Sequence, residues 1–214
     1  MPGKWQGRRP AAARKSRGRE LLEAVLVAAV LFLVLRSFVV QAFRIPSPSM
    51  EDTLLVGDFL FISKLDYGAR VPLFDRRLPA LRPMAPGDVI VFRLPEDAAE
   101  GDEPVDFIKR IVAVAGQTVE MRNKRLYVDG EPVAEPYVKH LDPTIRPARD
   151  DFGPLTVPPE RLFVLGDNRD FSDDSRFWGP LPTKNVHGRA LIRYFSWDPE
   201  SKWIRFKRLF TMVR

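Results

Sequence analysis

The sequence predicts a mainly β fold: an antiparallel sheet or partial barrel carrying a small β-rich insertion, preceded by a single N-terminal transmembrane helix. Three observations predict it. The 214 residues include 20 Pro, about twice the usual share, which disfavours long helices beyond the N-terminal segment. Short runs rich in Val, Ile and Phe alternate with Pro/Gly/Asp turns from residue 44 onward, as strands and their connections do. The long unbroken apolar run, Ala24 to Leu35, lies near the N-terminus. With 45% hydrophobic residues the chain is long enough for one packed domain and an appendage. The absence of Cys excludes a disulfide framework, Cys-ligated zinc and a thiol nucleophile.

Charge divides the chain unevenly. Residues 1–20 carry Lys4, Arg8, Arg9, Arg14, Lys15, Arg17 and Arg19 against Glu20, a net of +6 that equals the charge of the whole chain. The remainder is formally neutral, so a nucleic-acid partner is not expected.

The segment 21–43, LLEAVLVAAVLFLVLRSFVVQAF, would cover roughly 35 Å as a helix, against about 30 Å of bilayer hydrocarbon. Arg36 within it costs about 2.5–3.5 kcal/mol on insertion unless it snorkels to the interface. A cleaved signal peptide, with Val40-Gln41-Ala42 as a small-x-small site, and a buried core helix are the alternatives. Continuation of the helical pattern through Phe38, Val39, Val40 and Phe43 favours a retained span. The basic cluster then places residues 1–20 in the cytoplasm and the remaining domain, 44–214, on the opposite face of the membrane.

In that domain, Leu55-Val56-Gly57-Asp58 turns into the strand Phe59–Ser63, and Pro86-Gly87-Asp88 turns into Val89–Arg93. Phe107 to Ala115 is a third strand, Leu126 to Val133 a hairpin turning at Asp129-Gly130, and Arg161–Leu165 and Gly188–Trp197 complete the sheet. Residues 66–86 read as a surface loop and about 123–160, Pro-rich toward its end, as a small accessory insertion. The aromatic and basic segment 202–210 suits either a membrane surface or a final core strand.

Three stretches carry chemistry. In Ile45-Pro46-Ser47-Pro48-Ser49-Met50 two prolines fix φ near −65° and stiffen the backbone, so a serine there can be aimed, although Ser/Pro loops are also ordinary linkers. A serine nucleophile needs a base. His140 and His187, the two histidines, lie in contexts that read as surface loops. In Asp106-Phe107-Ile108-Lys109-Arg110-Ile111-Val112-Ala113, alternation places Lys109 on a face with Phe107, Ile111 and Ala113. Burial there would lower its pKa toward that of a usable base; on an edge strand it would instead snorkel to solvent. The third stretch, Gly166-Asp167-Asn168-Arg169-Asp170-Phe171-Ser172-Asp173-Asp174-Ser175-Arg176-Phe177-Trp178-Gly179, packs carboxylates and arginines into one turn. A calcium loop is a poor reading, for no Glu closes it; Arg169 and Arg176 are expected to pair with acids of the same turn and present Ser172. No metal or cofactor is expected.

In this order after an apolar helix, the three stretches resemble the conserved boxes of bacterial type I signal peptidases over roughly residues 36–197. The resemblance implies an endopeptidase that removes signal peptides from exported preproteins with a Ser/Lys dyad, Ser49 as nucleophile and Lys109 as general base. It implies an oxyanion hole from Ser47 and the backbone N–H of Ser49, a lysine-orienting Ser172, and a supporting Asp174–Arg176 ion pair. Substrate pockets for small residues would be lined by Phe43, Ile45, Met50, Leu54, Phe107 and Ile108. The partners are then preprotein signal peptides and the lipid bilayer, with the enzyme a monomer. Pro48 departs from the family's more usual Gly, and a single span precedes the domain where some members have two. A self-cleaving repressor-type Ser/Lys peptidase shares the dyad but would carry a DNA-binding domain, and residues 1–43 hold no helix-turn-helix. A membrane-anchored β scaffold would leave the lysine on an apolar strand face unexplained.

Overall fold

The computed structural model describes residues 17–71, 76–94 and 105–213; most of the expected basic tail, residues 1–16, lies outside the described residues. The chain divides after Leu35 into two units. In the first, α1 (Arg17–Val34) buries none of its side chains. No described helix is long and apolar enough to cross a membrane, α1 carrying Arg17, Arg19, Glu20 and Glu23 in its first turns. The expected helix over 21–43 also ends early. It widens into a π-helical turn, Leu35–Val39, and Val40–Arg44 is a strand, β1. The backbone groups of Val40 to Arg44 are claimed by β2 (Asp58–Ser63), with Val40 opposite Ser63 and Arg44 opposite Phe59, so local helix propensity yields to sheet pairing.

The second unit is mainly β. In chain order the remaining strands are β3 (Val89–Arg93), β4 (Asp106–Val114), β5 (Thr118–Arg122), β6 (Arg125–Val128), β7 (Glu131–Pro132), β8 (Phe152–Thr156), β9 (Arg161–Leu165), β10 (Leu181–Pro182), β11 (Val186–Asp198), β12 (Trp203–Ile204) and β13 (Thr211–Met212). A short helix, α2 (Ser175–Trp178), lies between β9 and β10. The larger sheet runs β1-β2-β11-β3-β4-β9-β10, with β12 and β13 added to β11, and the smaller runs β7-β6-β5-β8. All pairings between these strands are antiparallel. The expected strands and the Asp129-Gly130 hairpin are present, both turn residues having positive φ. The accessory sheet begins at Thr118 rather than 123, because a second two-residue turn, Asn123-Lys124, also with positive φ, joins β5 to β6.

The core comprises three apolar clusters. One gathers Ile45, Met50, Leu54, Leu60, Ile62, Val89, Val91, Ile108 and Ala190, with Phe43 and Val213 against it. The second lies around Ile90, Phe92, Ile111 and Val164. The third, around Val119, Met121, Leu126 and Phe163, joins the small sheet to β4 and β9. The segment 66–86 is not wholly a surface loop: Tyr67 and Ala69 are buried, and the Tyr67 hydroxyl donates to Asp88 at 2.7 Å. At Gly57, φ is +88° and a Cβ would lie 2.0 Å from the Trp197 carbonyl oxygen, so only Gly lets the turn before β2 dock on β11.

Candidate active site

Ser49 occupies a single 3₁₀ turn, Pro48–Met50, between β1 and β2. Pro48 suits the first position of that turn, where its missing N–H costs nothing, and the Glu51 N–H closes it on the Pro48 carbonyl at 2.9 Å. Ser47 precedes it in extended conformation, its Oγ 3.4 Å from Ser49 Oγ. The stiffness expected of the prolines thus becomes a fixed serine, buried to 6% exposure.

Lys109 reaches that serine from the middle of β4. Its Nζ lies 2.7 Å from Ser49 Oγ, across 60 residues of sequence. Opposite Ile90 in the β3–β4 ladder, Lys109 alternates onto the face of Phe107 and Ile111, which pack with Ile90 and Phe92; the Phe107 ring centre is 5.7 Å from Nζ. A register shift between Ile111 and Ala113 interrupts the alternation, and Ala113 belongs to another cluster. Lys109 is 2% exposed, and burial pushes its amine down to about 8, opposed by the charges of Asp174 and Asp173 and assisted by Arg176. The two histidines lie elsewhere: His140 near Asp170 and His187 against Asp106.

The third stretch leaves β9 at Gly166 and folds beneath both groups. A Cβ on Gly166 would lie 2.2 Å from Ser172 Oγ and 2.5 Å from the Ser49 carbonyl oxygen, so glycine allows the Ser49 turn and Ser172 to meet. Ser172 Oγ is buried and forms no hydrogen bond. Asp174 caps α2 by accepting from the Arg176 N–H. Its carboxylate also accepts from Arg176 Nε at 2.8 Å and Nη2 at 2.9 Å and from the Gly166 N–H at 3.1 Å. Arg176 additionally donates to the carbonyls of Arg149 and Arg169, so the pair is fully satisfied although buried, the condition under which such a pair is tolerated. Arg169 does not pair within its own turn as expected. It crosses to Glu135 of the insertion at 2.5 Å, because the turn's acids are already engaged: Asp174 by Arg176, Asp167 by Arg110, and Asp170 by Lys124.

Of the residues expected to line substrate pockets, Ile45, Met50, Leu54 and Ile108 form one buried cluster with Phe43 packed on it. Phe107 lies on the opposite face of β4, in the second cluster.

Several participants escaped sequence reasoning. The Asn168 N–H donates to the Ser49 carbonyl at 3.1 Å, and its side-chain Nδ2 donates to the Pro48 carbonyl at 3.2 Å. Arg110 holds Asp167 through two hydrogen bonds of 2.9 and 2.7 Å while its guanidinium stacks 3.8 Å from the Tyr137 ring centre. Thr53 Oγ1 donates to the same Asp167 at 2.6 Å. Asp167 and Asn168 stand in the third stretch, but their partners lie 57 to 120 positions away, a pairing that local periodicity does not encode.

The chain matches the family described as "Signal peptidase, peptidase S26" over residues 18–197. It is 37% identical to a signal peptidase I of Pseudomonas aeruginosa, covering 78% of this chain and 69% of that protein. It is 36% identical to one of Mycobacterium tuberculosis, covering 91% and 77% respectively. The signal peptidase I of Leptolyngbya laminosa is 36% identical, with 87% and 85% covered.

Proposed function

Because the chain belongs to the signal peptidase family, peptidase S26, serine endopeptidases that remove signal peptides from preproteins by a Ser/Lys mechanism, we propose that Ser49 is its nucleophile and Lys109 its general base. The observation that carries this assignment is the buried 2.7 Å contact between Ser49 Oγ and Lys109 Nζ. With the amine neutral, the Ser49 hydroxyl donates along that contact and transfers its proton as Oγ attacks the scissile carbonyl. The resulting oxyanion is met by the backbone N–H of Ser49 and the Ser47 hydroxyl. The lysine ammonium then gives its proton to the departing amine, and water, deprotonated by the same lysine, hydrolyses the acyl-enzyme. The charge of Asp174, which Arg176 fixes in place, favours the lysine ammonium, and Ser172, whose Oγ is buried without a hydrogen-bond partner, is the hydroxyl proposed to orient it.

Phe43 and Ile108, backed by the fully buried Ile45, Met50 and Leu54 of the same cluster, are the proposed floor for small side chains on the acyl side of the cut, and Phe107, on the other face of β4, is not part of it. A shallow apolar floor rejects larger ones by overlap. We place the enzyme in a bacterial plasma membrane as a single-pass monomer, with 21–39 as the anchor, 1–20 cytoplasmic and the β body outside. The exposed side chains of Leu22, Val25, Leu26 and Phe32 suit such an anchor, and the exposed Trp203, Phe206 and Phe210, interleaved with Lys202 and Lys207, suit bilayer contact.

Cleavage of a preprotein with Ala at the residues adjacent to its processing site tests the dyad. Ser49→Ala and Lys109→Ala should each lower kcat by at least about 10³-fold while the circular dichroism spectrum stays that of the parent. Turnover retained by either folded variant rejects the assignment.

A further inference from the structure

Residues 198–214 lie beyond the segment matched by the family model, yet part of this tail reaches back to the turn that carries the nucleophile. Asp58, at 0% exposure, accepts from Arg208 Nη2 at 2.6 Å and Nε at 3.4 Å, from Ser196 Oγ at 2.5 Å and from the Leu55 N–H at 2.9 Å. Burial alone would raise this carboxyl, but the hydrogen bonds from Arg208 and Ser196 hold it below the usual carboxylate range. The ion pair fixes the guanidinium, whose Nη2 also donates to the carbonyl of Thr53 at 3.1 Å. Arg193 of β11 donates to that same carbonyl at 2.9 Å. It is itself held by the Arg208 carbonyl at 3.0 Å and Thr211 Oγ1 at 2.5 Å. Two cations converging on one backbone oxygen is more than a turn requires for its own stability.

Thr53 is held from its other side as well. Its hydroxyl donates to Asp167, which Arg110 fixes and whose neighbour Asn168 binds the Ser49 and Pro48 carbonyls. From Pro48 to Leu54 the chain is two consecutive closed turns, with the Glu51 N–H on the Pro48 carbonyl at 2.9 Å and the Leu54 N–H on the Met50 carbonyl at 2.7 Å. Displacement of the Thr53 carbonyl is therefore passed to Ser49 rather than absorbed by a slack loop. A nucleophile displaced by about 1 Å can cost on the order of 10²-fold in rate.

We propose that Arg208, acting with Arg193 through the Thr53 carbonyl, is a positioning residue for the nucleophile, so that the C-terminal tail is part of the catalytic apparatus without touching substrate. This rests on Ser49 being the nucleophile. The fixed Thr53 carbonyl sets the turn's height against Asp167 and Asn168, and hence the Ser49–Lys109 distance.

The test uses full-length protein in detergent and a peptide substrate with Ala at its cleavage site. Arg208→Met leaves Asp58 with Arg193, 3.5 Å away, as its remaining cation, so Asp58→Asn/Arg208→Met is made beside it to remove the Asp58–Arg208 pair together while Arg193 keeps its bonds to the Thr53 and Arg208 carbonyls and Thr211. The double variant should lose at least about 10-fold in kcat, with KM within threefold and a melting temperature within a few degrees of the parent. Arg208→Lys, whose single ammonium cannot span Asp58 and Thr53 as the guanidinium does, should fold normally and lose kcat to an intermediate degree. Thr53→Val, which severs the link to Asp167, should lower kcat, and its effect should be non-additive with that of Arg208→Lys. Parental kcat in the folded variants, a change confined to KM, or additivity of Thr53→Val with Arg208→Lys would overturn the proposal. Failure of the nucleophile assignment would show separately, as activity surviving in Ser49→Ala.

Discussion

Lys109 is asked to be stable as an ammonium in a site that favours the amine. Its proton affinity is lowered from the ordinary 10.5 to about 8 mainly by burial, so kcat/KM should rise with pH and level off above about 8, read from initial rates on a soluble peptide. Lys109→Arg should be inactive at every pH, because guanidinium does not surrender its proton in the accessible range. The same shift has a thermodynamic sign. Between about 8 and 10.5 the unfolded chain binds the proton that the folded chain has released, so stability rises with pH across that window. At neutral pH, below both values, the folded protein bears the full cost of the buried charge. Lys109→Met should therefore abolish cleavage yet stabilise the protein at pH 7 by about 1–3 kcal/mol, and thermal unfolding of the two proteins at pH 7 and pH 10 should show the gain shrinking with pH.

The turn after β9 tolerates less. Gly166→Ala sets a methyl against Ser172 Oγ and the Ser49 carbonyl oxygen, both parts of the site. It should cost about 1–3 kcal/mol in denaturant unfolding and a larger share of activity than of stability. Asp170 in the same turn ties the small sheet to the site, its buried carboxylate accepting from Lys124 Nζ and from the N–H groups of Leu141 and Asp142. Asp170→Ala leaves those donors and the neighbouring Arg149 without their acceptor and should cost about 3–5 kcal/mol. The strands β2 and β3 were legible because each begins after a recognisable turn and reads as a short apolar run, and β9 by its apolar run alone. The end of the helix was not, since Val40 to Phe43 satisfy a helical pattern as well as a strand pattern and only pairing with β2 decides between them. The network beneath Ser49 was half legible: Asp167, Asn168, Asp174 and Arg176 stand in one string, but nothing near Thr53, Arg110 or Glu135 in the sequence names their partners.

Residues 36–214 form a compact unit of their own. A variant beginning at Arg36 should keep its melting temperature within about 2 °C and its rate on a soluble peptide within about threefold. If residues 21–39 are the proposed anchor, it should lose at least about 10²-fold on preproteins embedded in vesicles, where an anchor supplies effective concentration. The charge distribution that suggested this division was legible at once, because the basic excess lies wholly in residues 1–20. The role of the C-terminal tail was not, since Arg208 and Asp58 are 150 positions apart. Across the whole chain sulfur is confined to five methionines, with no cysteine. Met50, next to Ser49 in sequence, is 0% exposed and Met121 is 3% exposed, whereas Met212 is 60% exposed. Peroxide should therefore convert Met212 to its sulfoxide well before Met50. Oxidation of Met50, followed by mass spectrometry, should keep pace with opening of the fold, so that the sulfur nearest the reaction records when its cover has been lifted.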